Sequence, residues 1–257
     1  MAEFSSNGLR IHYQHLGSGG TPVLFLHGLV MDNLSSWYFT AGHRVGCNQE
    51  AILMDLRGHG KSERPASGYR VEDLLKDVVS LLNHLQIQQP VHVVGNSFGG
   101  LLALSLAVHH PARVASVFLV DAHMGAQGWG EEMTKTLRKE GEERDALIAE
   151  HFKSWLGRHS GRKRNRLAQV ASSLVYGTSL LDDLEASEDI TKDQLQSLSM
   201  PIRGIYGSQS DLAADVQILA ESIPDFEVAW FEGATHSVLW EATEDVVKGI
   251  QHWVGDA

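Results

Sequence analysis

The sequence predicts an α/β fold in which a mainly parallel sheet is covered by helices on both faces and a helical segment is inserted near the middle of the chain. Three observations carry this. Short apolar runs rich in Val, Ile and Leu recur along the chain, and segments with helical apolar spacing lie between several of them. About eighty residues then separate two of the runs where a short crossover would serve.

The opening reads as a hairpin: Glu3 to Ser6, an Asn7-Gly8 turn, then alternating apolar residues from Leu9 to Gln14. Gly17, Gly19 and Gly20 end the alternation. The runs Val23 to Leu26, Ala51 to Met54, Val91 to Val94, Val114 to Val120, Ile202 to Tyr206 and Val228 to Phe231 have the continuous apolar character of buried strands. Between the second and third of these, Val71, Leu74, Leu75, Val78, Val79, Leu82 and Leu85 form one helical stripe. Residues 122–200 form the expected helical cap, so the core is expected to comprise 1–121 and 201–257. At 257 residues the chain can bury one large core.

Composition narrows the function. A hydrophobic fraction of 43% and a charged fraction of 21% suit a soluble enzyme, and no apolar run approaches the roughly 20 residues that span a bilayer. The N-terminus shows no basic segment followed by an apolar stretch, so a cytoplasmic location without membrane association is expected. Cys47 has no second cysteine to pair with, and it reads as a small buried or half-buried thiol. Nothing calls for a metal or a cofactor. A net charge of -11 argues against nucleic acid as a partner. The exception is the basic cluster Arg158, Arg162, Lys163, Arg164 and Arg166, which reads either as a solvated helix face or as a landing site for an acidic acyl-carrier protein or the phosphates of coenzyme A.

The chemistry centres on Gly95-Asn96-Ser97-Phe98-Gly99-Gly100, which follows the run Val91 to Val94 and opens the helical run Leu101 to Val108. That strand-turn-helix context is the one a nucleophile elbow requires. Glycines on either side of Ser97 allow a turn too tight for side chains, and Ser97 then stands at a helix N-terminus, where negative charge is favoured.

Four further motifs occur in order around it: His27-Gly28, Asp55-Leu-Arg-Gly-His-Gly-Lys-Ser62, Gly207-Ser-Gln-Ser-Asp211 and Gly233-Ala-Thr-His236. With the elbow they make the chain resemble the α/β-hydrolase family over nearly its whole length. The resemblance implies an eight-stranded sheet, a helical cap and a triad in the chain order Ser, Asp, His. Serine is a weak nucleophile, so an imidazole must take its proton, and His236 is the expected base. Asp211 is the expected acid that orients it; Asp121, at the end of the run Val114 to Val120, competes, and Asp215 is a weaker rival. The backbone N–H groups of Leu29 and Phe98 are the expected oxyanion donors. His59 matches a family loop residue with a structural role.

Ser97 disfavours branches of the family that attack with Asp, such as haloalkane dehalogenases and soluble epoxide hydrolases. The Asp55 to Ser62 motif looks like that of small carboxylesterases and thioesterases. Gly95 to Gly99 and His236-Ser-Val-Leu-Trp240-Glu241 look like those of carbon–carbon bond hydrolases, but His27-Gly-Leu-Val-Met-Asp32 lacks the Gly-rich, Ser-containing loop of that group. Hydrolysis of an ester or thioester through an acyl-enzyme is therefore expected. The alternatives are a carbon–carbon hydrolase of a diketone-type substrate and a non-hydrolytic, ligand-binding or cofactor-free member of the fold. His123, Met124, Trp37, Trp155 and Trp240 are expected in the substrate pocket. Ser35 and the cap residues Trp129, Met133, Phe152, Leu156 and Tyr176 are further candidates.

Overall fold

The computed structural model describes residues 2–139, 141 and 161–256. Its eight strands are β1 (Ala2–Ser6), β2 (Leu9–Leu16), β3 (Val23–Leu26), β4 (Ala51–Met54), β5 (Val91–Asn96), β6 (Val114–Val120), β7 (Ile202–Gly207) and β8 (Phe226–Phe231). They form one sheet in the order β1-β2-β4-β3-β5-β6-β7-β8. The N-terminal hairpin joins β4 in antiparallel fashion, and every pair from β4 to β8 is parallel.

Alternation along the strands divides the core between the two faces of the sheet. Leu24, Leu26, Ile52, Met54, Val91 and Val93 pack on one face, while Val23, Phe25, Ala51, Leu53 and Val94 pack on the other. Helices α1 (Val71–His84) and α2 (Phe98–His109) cover the first face. In α1 the stripe Val71, Leu74, Leu75, Val78 and Leu82 is buried, as its spacing requires. The second helix is buried at every position from Phe98 to Ala107, because it is covered all round. The opposite face carries three short helical pieces, Ser35–Trp37, Tyr38–Gly42 and His43–Val45, and the C-terminal helix Thr243–Asp256.

The connection from β6 to β7 contains α3 (Trp129–Leu137), α4 (Gly161–Gly177), α5 (Leu180–Glu185) and α6 (Lys192–Gln196) among the described residues. Thr191 and Gln194 cap α6 reciprocally. α7 (Ala213–Ser222) links β7 to β8. No helix of the described residues is long and apolar enough to cross a membrane. Cys47 is exposed rather than half-buried: it lies just beyond the last of the short helical pieces, with its thiol donating to the His43 carbonyl at 3.4 Å.

Candidate active site

The sheet delivers Ser97 at the C-terminal edge of β5 through a turn that tolerates no side chain on its flanks. Ser97 has φ +51°, ψ −122° between strand and helix. A Cβ on Gly95 would stand 2.2 Å from the Gly99 carbonyl oxygen, and one on Gly99 would stand 2.2 Å from that of Leu26. The turn is tied to β6, since Ser97 N–H donates to Val120 O at 3.1 Å and His123 N–H donates to Ser97 O at 3.3 Å.

Opposite it, the loop after β3 is held by two buried imidazoles. His27 accepts from Leu56 N–H at 3.0 Å through Nε2 and donates to Gly28 O at 2.7 Å through Nδ1. His59 accepts from Val30 N–H at 2.9 Å and donates to Arg57 O at 2.9 Å. Burial, helped by His27, pushes the His59 pKa down to about 3, so the ring is neutral and can accept. Asp32 returns to the same loop, taking the Gly28 N–H at 2.9 Å. These contacts fix the backbone at Leu29, whose N–H has no acceptor among the described residues. The Phe98 N–H is in the first turn of α2, beyond reach of any intrahelical carbonyl.

His236 arrives on the loop after β8, which Glu241 braces by accepting from the Thr235 N–H at 2.7 Å and its hydroxyl at 3.0 Å. Its Nε2 lies 3.0 Å from Ser97 Oγ, and its Nδ1 lies 3.0 Å from Asp121 Oδ1. Burial pushes the His236 imidazole down, but the hydrogen bond and charge of Asp121, with the charge of Asp211, outweigh it and leave the pKa above the ordinary value.

The expectation that Asp211 orients the ring is corrected here. Asp121 ends β6 at φ +43°, beside the end of β7, and its N–H donates to Ile205 O at 2.8 Å. The turn after β7 then folds onto its carboxylate: Gly207 N–H donates to Oδ2 at 2.8 Å and the Ser210 hydroxyl to Oδ1 at 2.5 Å. Ser210 faces the ring's partner, while Asp211, one residue on, lines the neighbouring cavity. Ser210 was missed because a serine in a turn carries no signal of which carboxylate it will meet.

A cavity of about 590 Å³ opens beside Ser97 and His236. Of the residues expected there, His123, Trp129, Met133 and Trp240 line it, joined by Leu29, Asp32, Asn96, Leu137, Leu212 and Leu239. Trp129 stacks on Phe98, with ring centroids 5.8 Å apart. Trp37 is corrected to a core residue: it is fully buried on the opposite face, tilted against Phe25, with its indole N–H on Leu26 O at 2.9 Å. Met124 is also corrected to a core residue: it is buried in the core cluster on the α1 and α2 side and does not line the cavity. Tyr176 is exposed and donates to Leu137 O and Lys139 O, and neither it nor Ser35 lines the cavity. Phe152, Trp155, Leu156 and Arg158 lie outside the described residues. Arg162, Lys163, Arg164 and Arg166 fall in α4, where the backbone alone is described.

Comparison with known proteins agrees with this architecture. Residues 21–204 match the family model described as the alpha/beta hydrolase fold. The chain is 32% identical over 226 residues to 3-oxoadipate enol-lactonase 2 of Acinetobacter baylyi, covering 83% of this chain and 81% of that protein. A thermophilic esterase from Thermogutta terrifontis superposes with a TM-score of 0.79 at 22% identity, over 99% of this chain and 96% of that one. A meta-cleavage product hydrolase superposes with a TM-score of 0.82 at 19% identity, over 100% and 98% of the two chains. At these identities the two structures speak for the fold alone. With the family model matched from β3 into β7 and the whole eight-stranded architecture shared, this chain belongs to the alpha/beta hydrolase fold family.

Proposed function

We propose that the protein is a serine hydrolase that cleaves an uncharged carboxylic ester or thioester through an acyl-enzyme. The observation that carries this reading is the continuous chain Ser97 Oγ, His236, Asp121, with both contacts at 3.0 Å, opening onto a cavity. Asp121 holds Nδ1–H, so Nε2 is the free base that takes the Ser97 proton as the oxygen attacks the carbonyl carbon. The Leu29 and Phe98 N–H groups bind the oxygen of the tetrahedral intermediate, and His236 returns its proton to the leaving group. Water then repeats the sequence against the acyl-enzyme.

The cavity supports an uncharged substrate. Among the described residues, Asp32, Glu132, Asp211 and Asp215 line it and no Lys or Arg does. Residues 122–200 act in this reading as a cap, with Trp129, Met133 and Leu137 supplying the apolar wall. The relative named for enol-lactone chemistry lends support, because a lactone is an internal ester. A carbon–carbon bond hydrolase is the second reading, favoured by the tracts Gly95 to Gly99 and His236 to Glu241, from which Asn96 and Trp240 also line the cavity.

A fluorophosphonate probe combined with turnover of 4-nitrophenyl esters tests the assignment. The probe should label Ser97 in the wild type, and Ser97→Ala should remove labelling and lower turnover by about 10⁴-fold or more. Ester hydrolysis that survives in Ser97→Ala, or absence of labelling in an otherwise folded wild type, refutes it. Turnover of a 1,3-diketone without turnover of esters transfers the assignment to the second reading.

A further inference from the structure

A second imidazole stands beside the first. His123 follows Asp121 by two residues, and its ring centroid lies 5.7 Å from that of His236 and 6.4 Å from that of Trp129. The imidazoles buried in the core each have a protein partner: His12 meets Asp55, His27 and His59 meet backbone groups, and His92 meets the Ser116 hydroxyl through Nδ1 while its Nε2 has none. The nitrogens of His123 meet no hydrogen-bond partner among the described residues, and the residue lines the cavity. The ring is half-buried, and its nitrogens keep access to the cavity without a protein partner, so a bound molecule can meet both a donor and an acceptor there. Burial, and then the proximity of His236, pushes the pKa down to about 3, so the ring offers one N–H and one lone pair at neutral pH.

The position of the ring shows which half of the substrate it meets. His236 Nε2 must hand its proton to the departing oxygen, so the leaving group lies against His236, and the His123 ring stands 5.7 Å from it in the same cavity wall. The charge around it sets what it can bind: among the described residues four carboxylates and no Lys or Arg line the cavity, so a carboxylate or phosphate on the leaving group is repelled by them. A hydroxyl both accepts and donates, which matches a neutral imidazole.

We propose that His123 is a specificity-determining residue that binds a hydroxyl on the alcohol half of the substrate, so that the enzyme prefers esters of uncharged hydroxylated alcohols to esters of plain alkanols. This rests on the serine-ester reading above and deepens it.

The test compares three butanoate esters that share an acyl group: propyl, 2,3-dihydroxypropyl and carboxymethyl. Wild type should show a kcat/KM for the dihydroxypropyl ester about tenfold or more above that for the propyl ester, with the carboxymethyl ester the poorest of the three. His123→Leu should bring the dihydroxypropyl-to-propyl ratio to about one. His123→Gln, which keeps a donor and an acceptor, should retain part of the preference. A wild-type ratio near one overturns the proposal even if the Leu variant fails to fold. So does a ratio that a folded His123→Leu leaves unchanged. Either result, with esters still hydrolysed and Ser97 still labelled, leaves the serine-hydrolase reading standing. Failure of wild type to hydrolyse any ester or to react with fluorophosphonate removes both.

Discussion

Asp121→Asn separates the two candidate acids because the hydrogen bonds around that carboxylate dictate how an amide must sit. Oδ2 accepts from Gly207 N–H at 2.8 Å, while Oδ1 accepts from the Ser210 hydroxyl at 2.5 Å and from His236 Nδ1–H at 3.0 Å. Gly207 N–H can only donate, so the single oxygen of an Asn is drawn to it and the NH₂ turns toward Ser210 and His236. Ser210 adapts by accepting. His236 adapts by moving its proton to Nε2, the tautomer that cannot take a proton from Ser97. The expected loss is about 10³–10⁴ in kcat, equivalent to roughly 4–5.5 kcal/mol, without loss of fold. Asp211→Asn removes an exposed charge that acts on His236 through space, an effect worth up to about 1 kcal/mol and so at most about fivefold on the base.

Hydrolysis of 4-nitrophenyl acetate across pH 5–9, with circular dichroism as the folding control, reads both effects. His236 must be neutral to act, so wild-type activity should rise with pH through a value above the ordinary imidazole range. Asp121→Asn leaves burial unopposed by its main counterweight, so the acid limb of the residual activity should move to lower pH. Asp211→Asn should move it down only slightly. If Asp211→Asn were inactive while Asp121→Asn stayed within tenfold of wild type, the assignment of Asp121 would be wrong and the role would pass to Asp211.

Gly99→Ala places a Cβ against backbone oxygens of Leu26 and His27 that cannot yield, so it should cost about 3 kcal/mol or more and lower Tm by roughly 6–12 °C, as thermal melting followed by circular dichroism would show. His59→Ala strands the buried Val30 N–H and should cost about 1–3 kcal/mol in urea unfolding, while lowering kcat more than it raises KM because the loop carrying Leu29 loosens. His59 is also held neutral down to about pH 3, whereas an unfolded imidazole protonates near 6.5; stability present above pH 6.5 should therefore be lost as pH falls toward 3, more steeply in wild type than in His59→Ala. The expectation that Arg162 and Arg164 form a landing site for an acidic carrier or coenzyme A competes with the uncharged-substrate reading: under it, Arg162→Glu with Arg164→Glu should slow turnover of an acyl-coenzyme A in a salt-dependent manner and leave a neutral ester unaffected, whereas an equal response of both substrates makes the cluster a solvated helix face.

Much of this molecule is legible without coordinates because it depends on neighbours in sequence. The alternation Val23, Leu24, Phe25, Leu26 can only be a strand covered on both faces, and the Val71 to Leu82 stripe can only be a helix lying on one. Gly95 and Gly99 around Ser97 announce a turn where side chains cannot fit, and the 2.2 Å approaches bear out the reason. The β5–Ser97–α2 unit is a local structure, and local chemistry determines it.

The partners of His236 belong to the other category. Asp121 and Asp211 each follow a parallel strand at the same edge of the sheet, and no pattern along the chain distinguishes them. The choice is made where β6 and β7 lie side by side, because Gly207 and Ser210 turn their donors toward Asp121 and so hold its carboxylate beneath the imidazole. Trp37 and Met124 show the same limit, since whether a large side chain lines a cavity or fills the core depends on which face of the sheet its neighbours occupy. Sequence by itself determined the strands, the elbow, the serine it carries and the imidazole that reaches it, because adjacent residues encode strand, turn and helix. Only the tertiary structure decided which carboxylate holds that imidazole and which side chains line the cavity, because those contacts join residues that are close in space through strand pairing and distant along the chain.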